Sequence, residues 1–426
     1  MTRAGMRERR TAQAEGVVRK HHPDRLILVF TLILMLVGLL IIYAIGPQRA
    51  NLMNAIYDYA YSDNYFFIKQ LVSFGLALGA FFAMASIPYN WVLKHGTKVL
   101  WVGFIASFGL ALAYWFGAVE ATNGAARWIE LGPLGSIQPS EILKFGLLLY
   151  LAVFLGVRAK DGKINDVQGT LLPVAAITGL AMLVVIVIQR DLGTGISLTA
   201  IVATMLYVAG INKKIILALG AVLLVAGLLL IFTSPHRVER VMTYLQGDST
   251  STSDDESYHI QQAKIALGSG GAFGVGIGSS VQASGYLPES MNDSIFAIIG
   301  ETFGFIGTVS LIAVFVALLM RLLRVMDFLV DLRLKLLVAG VFGWLAAHVI
   351  LNIAAMIGIF PLTGITLPLL SYGGTSMLFM TAALGLVYQL SRYTVHPSRI
   401  KEVSSHENSR SRRGVGRTRY AGRRSS

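Results

Sequence analysis

The apolar residues of this chain fall into long blocks separated by polar segments, and this pattern predicts its architecture. Most blocks hold roughly 18 to 25 residues, the length that an α-helix needs to cross the hydrocarbon core of a bilayer. The sequence therefore predicts an all-α polytopic membrane protein with ten transmembrane helices. The ten blocks are Leu26–Gly46, Phe66–Ser86, Val99–Ala118, Ile142–Val157, Leu171–Ile188, Gly193–Ala209, Ile215–Phe232, Ile295–Met320, Leu337–Ile359 and Thr375–Ser391.

Basic residues in the short loops predict the orientation of these helices. Lys and Arg concentrate in the loops on the side of the N-terminus, for example at Arg158–Lys163 and Arg321–Lys335, and the opposite loops hold fewer cations. Ten crossings return the chain to the same side, so both termini are predicted to be cytoplasmic. A basic tail (residues 1–25) and a Ser-, Arg- and Gly-rich tail that we expect to be disordered (393–426) flank a membrane domain (26–392).

Composition and charge agree with a membrane protein and exclude several kinds of chemistry. A chain with 54% hydrophobic and 14% charged residues is too apolar for an ordinary soluble protein. The net charge of +13 comes largely from the tails, and we interpret it as attraction to anionic membrane lipids, with no nucleic acid as a partner. The absence of cysteine excludes disulfides and thiolate chemistry.

The longest polar segment is predicted to be a large extracytoplasmic loop between helices 7 and 8 (residues 233–293). It ends in the sequence YLPESMNDSIFAIIGE, where Asp293 stands at the boundary between the polar loop and an apolar helix. A carboxylate at this depth loses hydration, so it usually has a partner or a functional role. The glycines of Gly268–Gly278 lack the Lys-Ser/Thr of a nucleotide-binding loop, and we expect them to allow close approach to a ligand or a neighbouring helix.

Three further segments that the topology places at the outer face carry charged or small polar residues. With Asp293 they form one candidate site for a substrate that has an anionic head and a lipid tail. The candidate substrate-binding residues are Arg127, Trp128, Glu141, Lys144, Arg190, Asp191, Ser371 and Gly373.

Structural roles remain open for several of these residues. Lys144 is either functional or a lysine that snorkels to the interface, and Arg190 and Asp191 are either functional or interface anchors. The segment 360–376 is predicted to be broken or re-entrant, and its SYGGTS motif either presents amides to an anion or caps the last helix. His348 and Asn352 are expected to form interhelical hydrogen bonds.

Six motifs follow one another in an order that resembles the FtsW/RodA family of shape, elongation, division and sporulation (SEDS) proteins. They are NGAARW, QPSEILK, QRDLGT, the glycine-rich segment, YLPESMNDSIFAIIGE and TLPLLSYGGTS. The resemblance covers residues 25–392, and the TLP before SYGG is closer to the division member than to the elongation member. The chain departs from the family pattern at Ala126, Arg190 and Met291–Asn292.

The resemblance implies a peptidoglycan glycosyltransferase that polymerises lipid II, the undecaprenyl-pyrophosphate-linked disaccharide peptide. It places this activity at the outer face of the bacterial cytoplasmic membrane, for septal synthesis in cell division. The family's essential aspartate matches Asp293, which we expect to be the general base. The family's Arg-Trp and Glu-Lys pairs match Arg127, Trp128, Glu141 and Lys144.

The resemblance also implies a class B penicillin-binding transpeptidase and other division proteins as partners. No cofactor is certain, and a divalent cation, Mg²⁺ or Mn²⁺, remains an open possibility. The alternative functions are a lipid II flippase and an elongation-type polymerase.

Overall fold

The computed structural model describes residues 21–117, 119, 127–130, 136–218, 220–221 and 255–394. This part of the chain is almost entirely helical. Its long helices are α1 (Arg25–Tyr57), α2 (Tyr65–Ser86), α3 (Tyr89–Trp115), α4 (Pro139–Lys160), α5 (Val167–Ile188), α6 (Leu192–Ala209), α7 (Asp255–Ser269), α8 (Ile295–Phe328), α9 (Leu332–Met356) and α10 (Gly374–Leu390). A two-residue antiparallel ribbon, β1 (Ile129–Glu130) and β2 (Ser136–Ile137), precedes α4.

Within the described residues, eight helices are long and apolar enough to span a membrane, namely all except α7 and α10. The tenth apolar block forms α10, which has only 17 residues. The seventh block lies mostly outside the described residues, as do residues 233–254 of the large loop and most of both tails. The all-α polytopic fold is confirmed, whereas the count of ten spans and the orientation stay predictions.

Helices α1 and α3 extend furthest beyond the apolar pattern. Helix α3 begins ten residues before Val99, because Lys94 and Lys98 interrupt the apolar pattern without breaking the helix. Helix α1 continues past Gly46 and Pro47 to Tyr57, where Asp58 ends it in the left-handed conformation (φ 56°). A hydropathy pattern detects only the part of a helix that lies in hydrocarbon, so it misses both extensions.

Helix α4 packs closely against α3 through small residues. A Cβ at Gly103 would lie 2.6 Å from Leu143 Cα, and a Cβ at Gly146 would lie 2.5 Å from Leu100 Cα. In lipid, small residues let helix backbones approach closely, because packing replaces the hydrophobic drive between helices. This contact fixes the start of α4, the turn that carries the predicted residues Glu141 and Lys144.

Helix α8 is interrupted at Gly304 (φ 68°), and the glycine-rich loop after α7 fills the interruption. In a regular helix the carbonyls of Glu301 and Thr302 would accept from the amides four residues later. Here both the carbonyls and those amides bond to the loop instead. The four bonds are Val275 N to Glu301 O (2.9 Å), Gly276 N to Thr302 O (3.1 Å), Phe305 N to Gly271 O (2.9 Å) and Ile306 N to Ala272 O (3.2 Å).

The prediction that these glycines allow close approach to a neighbouring helix is therefore confirmed. A Cβ at Gly274 would lie 2.2 Å from Thr302 O, and a Cβ at Gly270 would lie 2.0 Å from Gly300 O. The buried Glu301 carboxylate strengthens this contact, since it accepts from the Ser280 hydroxyl (2.5 Å) and the Val281 amide (3.0 Å).

Replacing Gly274 by Ala tests this packing. We expect a lower apparent melting temperature in detergent, because a left-handed alanine costs roughly 1–2 kcal/mol and the overlap with Thr302 O costs about 1–3 kcal/mol more. Gly276→Ala is the matched control, since Gly276 has φ 95° but no atom within 4 Å of its Cβ position. Equal melting temperatures for the two variants would show that the close approach does not matter.

Candidate functional site

Asp293 lies in a tight turn just before α8, and three successive backbone carbonyls of this turn are fixed from outside it. Two of the donors belong to the segment before α10 and the third belongs to α9. The bonds are Tyr372 N to Met291 O (2.8 Å), Ser371 Oγ to Asn292 O (2.6 Å) and Asn352 Nδ2 to Asp293 O (2.6 Å). The position of the carboxylate is thus set by α8, α9 and the segment that leads into α10.

The Asp293 carboxylate lies in an environment that favours its protonated form. The residue as a whole is half-buried, but Oδ1 has essentially no exposed surface and no hydrogen-bond partner. Among the described residues, no cation lies within salt-bridge distance. Burial, followed by the nearby negative charge of Glu289, raises the pKa of Asp293 to about 7. Hydrogen bonds from the amides of Asp293 and Ser294 oppose this shift.

Two neighbours of Asp293, His259 and Glu289, were not singled out from the sequence. Ser294 connects His259 to the turn: its hydroxyl donates to Pro288 O (2.9 Å), and its Oγ lies 2.5 Å from Nε2 of His259 on α7. Burial lowers the pKa of His259 and so favours the neutral imidazole, with the charge of Glu289 opposing the shift. His259 lies outside the quoted motifs, and Glu289 lies inside YLPESMNDSIFAIIGE as an ordinary turn residue, so the sequence gave no sign that either acts on Asp293.

The segment between α9 and α10 is non-helical, as predicted, and α9 holds it in place. Asn352 Nδ2 also donates to Ile365 O (2.8 Å), and His348 Nδ1 lies 3.3 Å from Thr366 O. Ser371 closes the segment on itself by accepting from the Leu367 amide (2.8 Å). His348 and Asn352 do form hydrogen bonds, but with loop carbonyls and not between helices as predicted, and Asn352 also fixes the turn of Asp293.

Glu141 and Lys144 form an ion pair inside the helix bundle. Lys144 Nζ lies 2.7 Å from Glu141 Oε1, and the two side chains are 0% and 3% exposed, so Lys144 does not snorkel to the interface. The ammonium lies 4.9 Å from the centre of the Trp344 ring on α9. Trp344 lies eight residues before Asn352, so the ion pair is about 12 Å from the level of Asn352 along α9.

The QRDLGT segment contacts the ribbon before α4. Arg127 donates to Gln189 O (3.2 Å) and Arg190 O (2.9 Å), so it joins the two loops through backbone carbonyls. Asp191 caps α6 by accepting from the Thr194 amide (2.9 Å) and hydroxyl (2.8 Å), and it also accepts from Gln138 (3.0 Å). Trp128 is half exposed beside them, and Ala126 lies outside the described residues.

The predicted site residues thus form two adjoining groups, and the Glu141–Lys144 ion pair lies deeper in the helix bundle than either. One group joins Asp293 to Ser371 and Gly373, and the other joins Arg127 to Arg190 and Asp191. The groups meet where a Cβ at Gly193 would lie 2.9 Å from Thr363 O, and where Thr375 donates to Ser136 O. Gly373 (φ 146°) directly precedes α10. It has no side chain that could accept a hydrogen bond from the first amides of that helix.

The described residues do not fit a divalent cation at this site. Within that part of the chain, no group of three or more His, Asp or Glu side chains is arranged to hold a metal ion. Glu141 is the buried carboxylate closest to such a role, but Lys144 already neutralises it. One neutralised carboxylate is a poor ligand set for Mg²⁺ or Mn²⁺.

Fold and site together define a polytopic membrane protein with an essentially uncompensated carboxylate between its helix ends. Comparison with known proteins is specific: the FtsW/RodA/SpoVE family, described as "Cell cycle protein", matches residues 24–396. The chain belongs to this family.

Two relatives show how far the similarity extends. Stage V sporulation protein E of Bacillus subtilis is 35% identical over 377 residues, which cover 88% of this chain and 99% of the relative. The probable peptidoglycan glycosyltransferase FtsW of Coxiella burnetii is 33% identical, with 87% and 96% covered. The family and the enzyme class predicted from the motifs are confirmed.

Solved structures agree on the fold. The rod shape determining protein RodA of Thermus thermophilus superposes with a TM-score of 0.62 at 23% identity, covering 88% of this chain and 98% of that chain. A chain from a peptidoglycan synthase complex that coordinates polymerization and crosslinking superposes with a TM-score of 0.65 at 25% identity, covering 87% and 98%.

Replacing Asn352 by Leu tests how the turn of Asp293 is held. The change leaves two buried carbonyls without their donor, so we expect a loss of about 1–3 kcal/mol of stability and faster amide exchange in residues 289–294. The measurement is hydrogen–deuterium exchange with mass spectrometry in detergent.

Gln389→Leu is the matched control for Asn352→Leu. Gln389 is also a buried amide that donates to two carbonyls, Ala85 O (3.1 Å) and Ile87 O (2.6 Å), away from the site. It should cost similar stability without changing exchange in residues 289–294. Equal exchange there in both variants would contradict the role of Asn352.

Proposed function

We propose that this chain polymerises lipid II into glycan strands at the outer face of the cytoplasmic membrane, with Asp293 as the general base. The observation that carries the proposal is the Asp293 carboxylate: it is held by three elements, lacks an ion partner among the described residues, and has a pKa near 7. The names of its relatives as peptidoglycan glycosyltransferases support the same reaction.

Chain growth requires a sugar hydroxyl to attack the anomeric carbon of a lipid-linked sugar. The hydroxyl oxygen forms a bond to that carbon, the bond from the carbon to the pyrophosphate oxygen breaks, and the hydroxyl proton passes to Asp293. A carboxylate with an ordinary pKa is a weak base for this transfer, whereas a base with a pKa near the working pH is efficient. Burial beside Glu289 supplies that basicity.

The departing pyrophosphate gains negative charge, and the site offers positive groups to stabilise it. Arg127 lies at the outer surface, and its donors now bond to carbonyls that a phosphate oxygen would replace. Lys144 lies deeper and Glu141 orients it. We assign substrate contacts to Trp128, Arg190, Asp191, Ser371 and Gly373 as well, since they line the same two groups.

The finer assignments follow from the relatives. A solved relative belongs to a peptidoglycan synthase complex that couples polymerization to crosslinking, which supports a class B penicillin-binding transpeptidase as the partner here. The division and sporulation names of the curated relatives favour septal synthesis, with other division proteins, over an elongation role.

Asp293→Asn is expected to abolish polymerisation, because the amide cannot accept the hydroxyl proton. The measurement is glycan synthesis from lipid II by purified protein with its transpeptidase, and the melting temperature checks the fold. Asp327→Asn, which changes an exposed aspartate at the far end of α8, should polymerise normally. Normal synthesis by Asp293→Asn would remove Asp293 as the base, and transport of a non-polymerisable lipid II analogue would then favour the flippase.

The rate of polymerisation should rise with pH through about 7, as Asp293 loses its proton and becomes able to accept one. Glu289→Gln removes the negative charge that raises this pKa, so the rising limb of the pH profile should move to lower pH. Initial rates between pH 5 and pH 9 measure the shift. Asp63→Asn serves as the control for a charge change on the same face, and an unmoved limb in Glu289→Gln would contradict the electrostatic account.

A further inference from the structure

A row of aromatic rings runs from the exposed end of α1 to the Asp293 site. Successive ring centroids lie 4.1 to 5.7 Å apart, and Tyr61 and Tyr65 are nearly parallel (16°) at the shortest distance. We call this set the tyrosine row. Its members are Tyr57, Tyr59, Tyr61, Tyr65, Phe66 and Tyr372.

The inner end of the tyrosine row touches the proposed active site. The Phe66 and Tyr372 rings meet edge to face at 5.7 Å, and the Tyr372 amide donates to Met291 O. Met291 lies two residues from Asp293. The row therefore begins where a polymer would be made and leads away from it.

The end of the row on α1 is exposed. Tyr57 and Tyr59 are 59% and 49% exposed. The part of α1 beyond Gly46 adds eleven residues, or about 16 Å of helix, whereas the interfacial layer of a bilayer is only about 5–8 Å thick. Leu52 on this extension packs against the outer loop at Gly285, so the extension runs beside protein and not into lipid. A belt of interfacial anchors would instead place each ring at headgroup level.

The chemistry of the row suits a sugar chain. A pyranose ring has an apolar C–H face, which stacks on an aromatic ring, and hydroxyl edges, which hydrogen-bond to polar groups. The exposed rings of Tyr57 and Tyr59 offer such faces, and their phenol hydroxyls, with the exposed Asp58 between them in the sequence, offer polar groups. The inner rings Tyr61 and Tyr65 stack on each other, and the Lys69 ammonium lies 4.6 Å from the Tyr65 ring, so they support the row.

We propose that the tyrosine row binds the nascent glycan strand, a β-linked amino-sugar chain, as it leaves the active site. This inference rests on the proposed function, since it needs a polymer at that site. A glycan is favoured over a protein partner because the row is continuous with the turn of Asp293, where the strand would grow.

The test uses the full chain in detergent and a soluble probe, the hexamer of β-1,4-linked N-acetylglucosamine, which lacks lipid, pyrophosphate and peptide. Tyr57→Leu/Tyr59→Leu should weaken binding of the hexamer about fivefold or more, because it removes two ring contacts, and should shorten the strands made from lipid II. Tyr57→Phe/Tyr59→Phe keeps the rings and should bind the hexamer nearly as the parent does. Tyr43→Leu is the matched control, since Tyr43 is 54% exposed and, among the described residues, pairs only with Phe67, outside the row.

The outcomes separate this proposal from the proposed function. Hexamer binding is measured without catalysis, so the inactive Asp293→Asn variant should still bind the hexamer. Loss of polymerisation alone therefore does not contradict glycan binding by the row.

The proposal is overturned if the parent protein does not bind the hexamer, or if the leucine variant binds it as tightly as the parent. A leucine variant that binds the hexamer normally but no longer responds to the transpeptidase would identify the row as a protein-binding surface. If the double variant has a lowered melting temperature, hexamer binding is measured instead on Tyr57→Ala, at the exposed end of the row. Weaker binding by that variant supports the proposal, and parent-like binding overturns it.

Discussion

The hydrogen bond from Asn352 to the Asp293 carbonyl is the contact on which the site depends. It joins α9, the most buried of the membrane helices, to the turn that precedes α8, and the same amide group holds Ile365 of the segment before α10. One side chain thus positions two loops against each other. Because the donor lies in the membrane domain, the carboxylate keeps its place even though the residues around it are loop residues.

Burial of Asp293 has an electrostatic consequence as well as a geometric one. A carboxylate in water is too weak a base to take a proton from a sugar hydroxyl efficiently, and pairing with a cation would weaken it further. The cations of the site are engaged elsewhere: Lys144 with Glu141, and Arg127 with backbone carbonyls. Among the described residues, the Asp293 carboxylate therefore lies apart from these positive groups, as the proposed role of a base requires.

The apolar blocks and the motifs predicted most of the fold, because membrane spans depend mainly on length and apolar composition. They predicted the position of Asp293 and the broken segment before α10 for the same reason, since polar residues and turn formers interrupt an apolar pattern visibly. They did not predict the extension of α1, because water-exposed helix has no hydropathy signal. Glu289 and His259 were missed because their effect on Asp293 depends on distances that arise only when α7 and the turn pack together.

The interruption of α8 at Gly304 changes how the outer loop can move. Its four exchanged backbone bonds make the loop part of the helix's own hydrogen-bond ladder, so the loop does not swing as an independent lid. Any displacement of it breaks bonds inside a 34-residue helix that ends at Phe328, far from the loop. A protein that pushes or pulls on this loop would therefore act on the helix itself, and through it on the turn of Asp293, eight residues before Glu301.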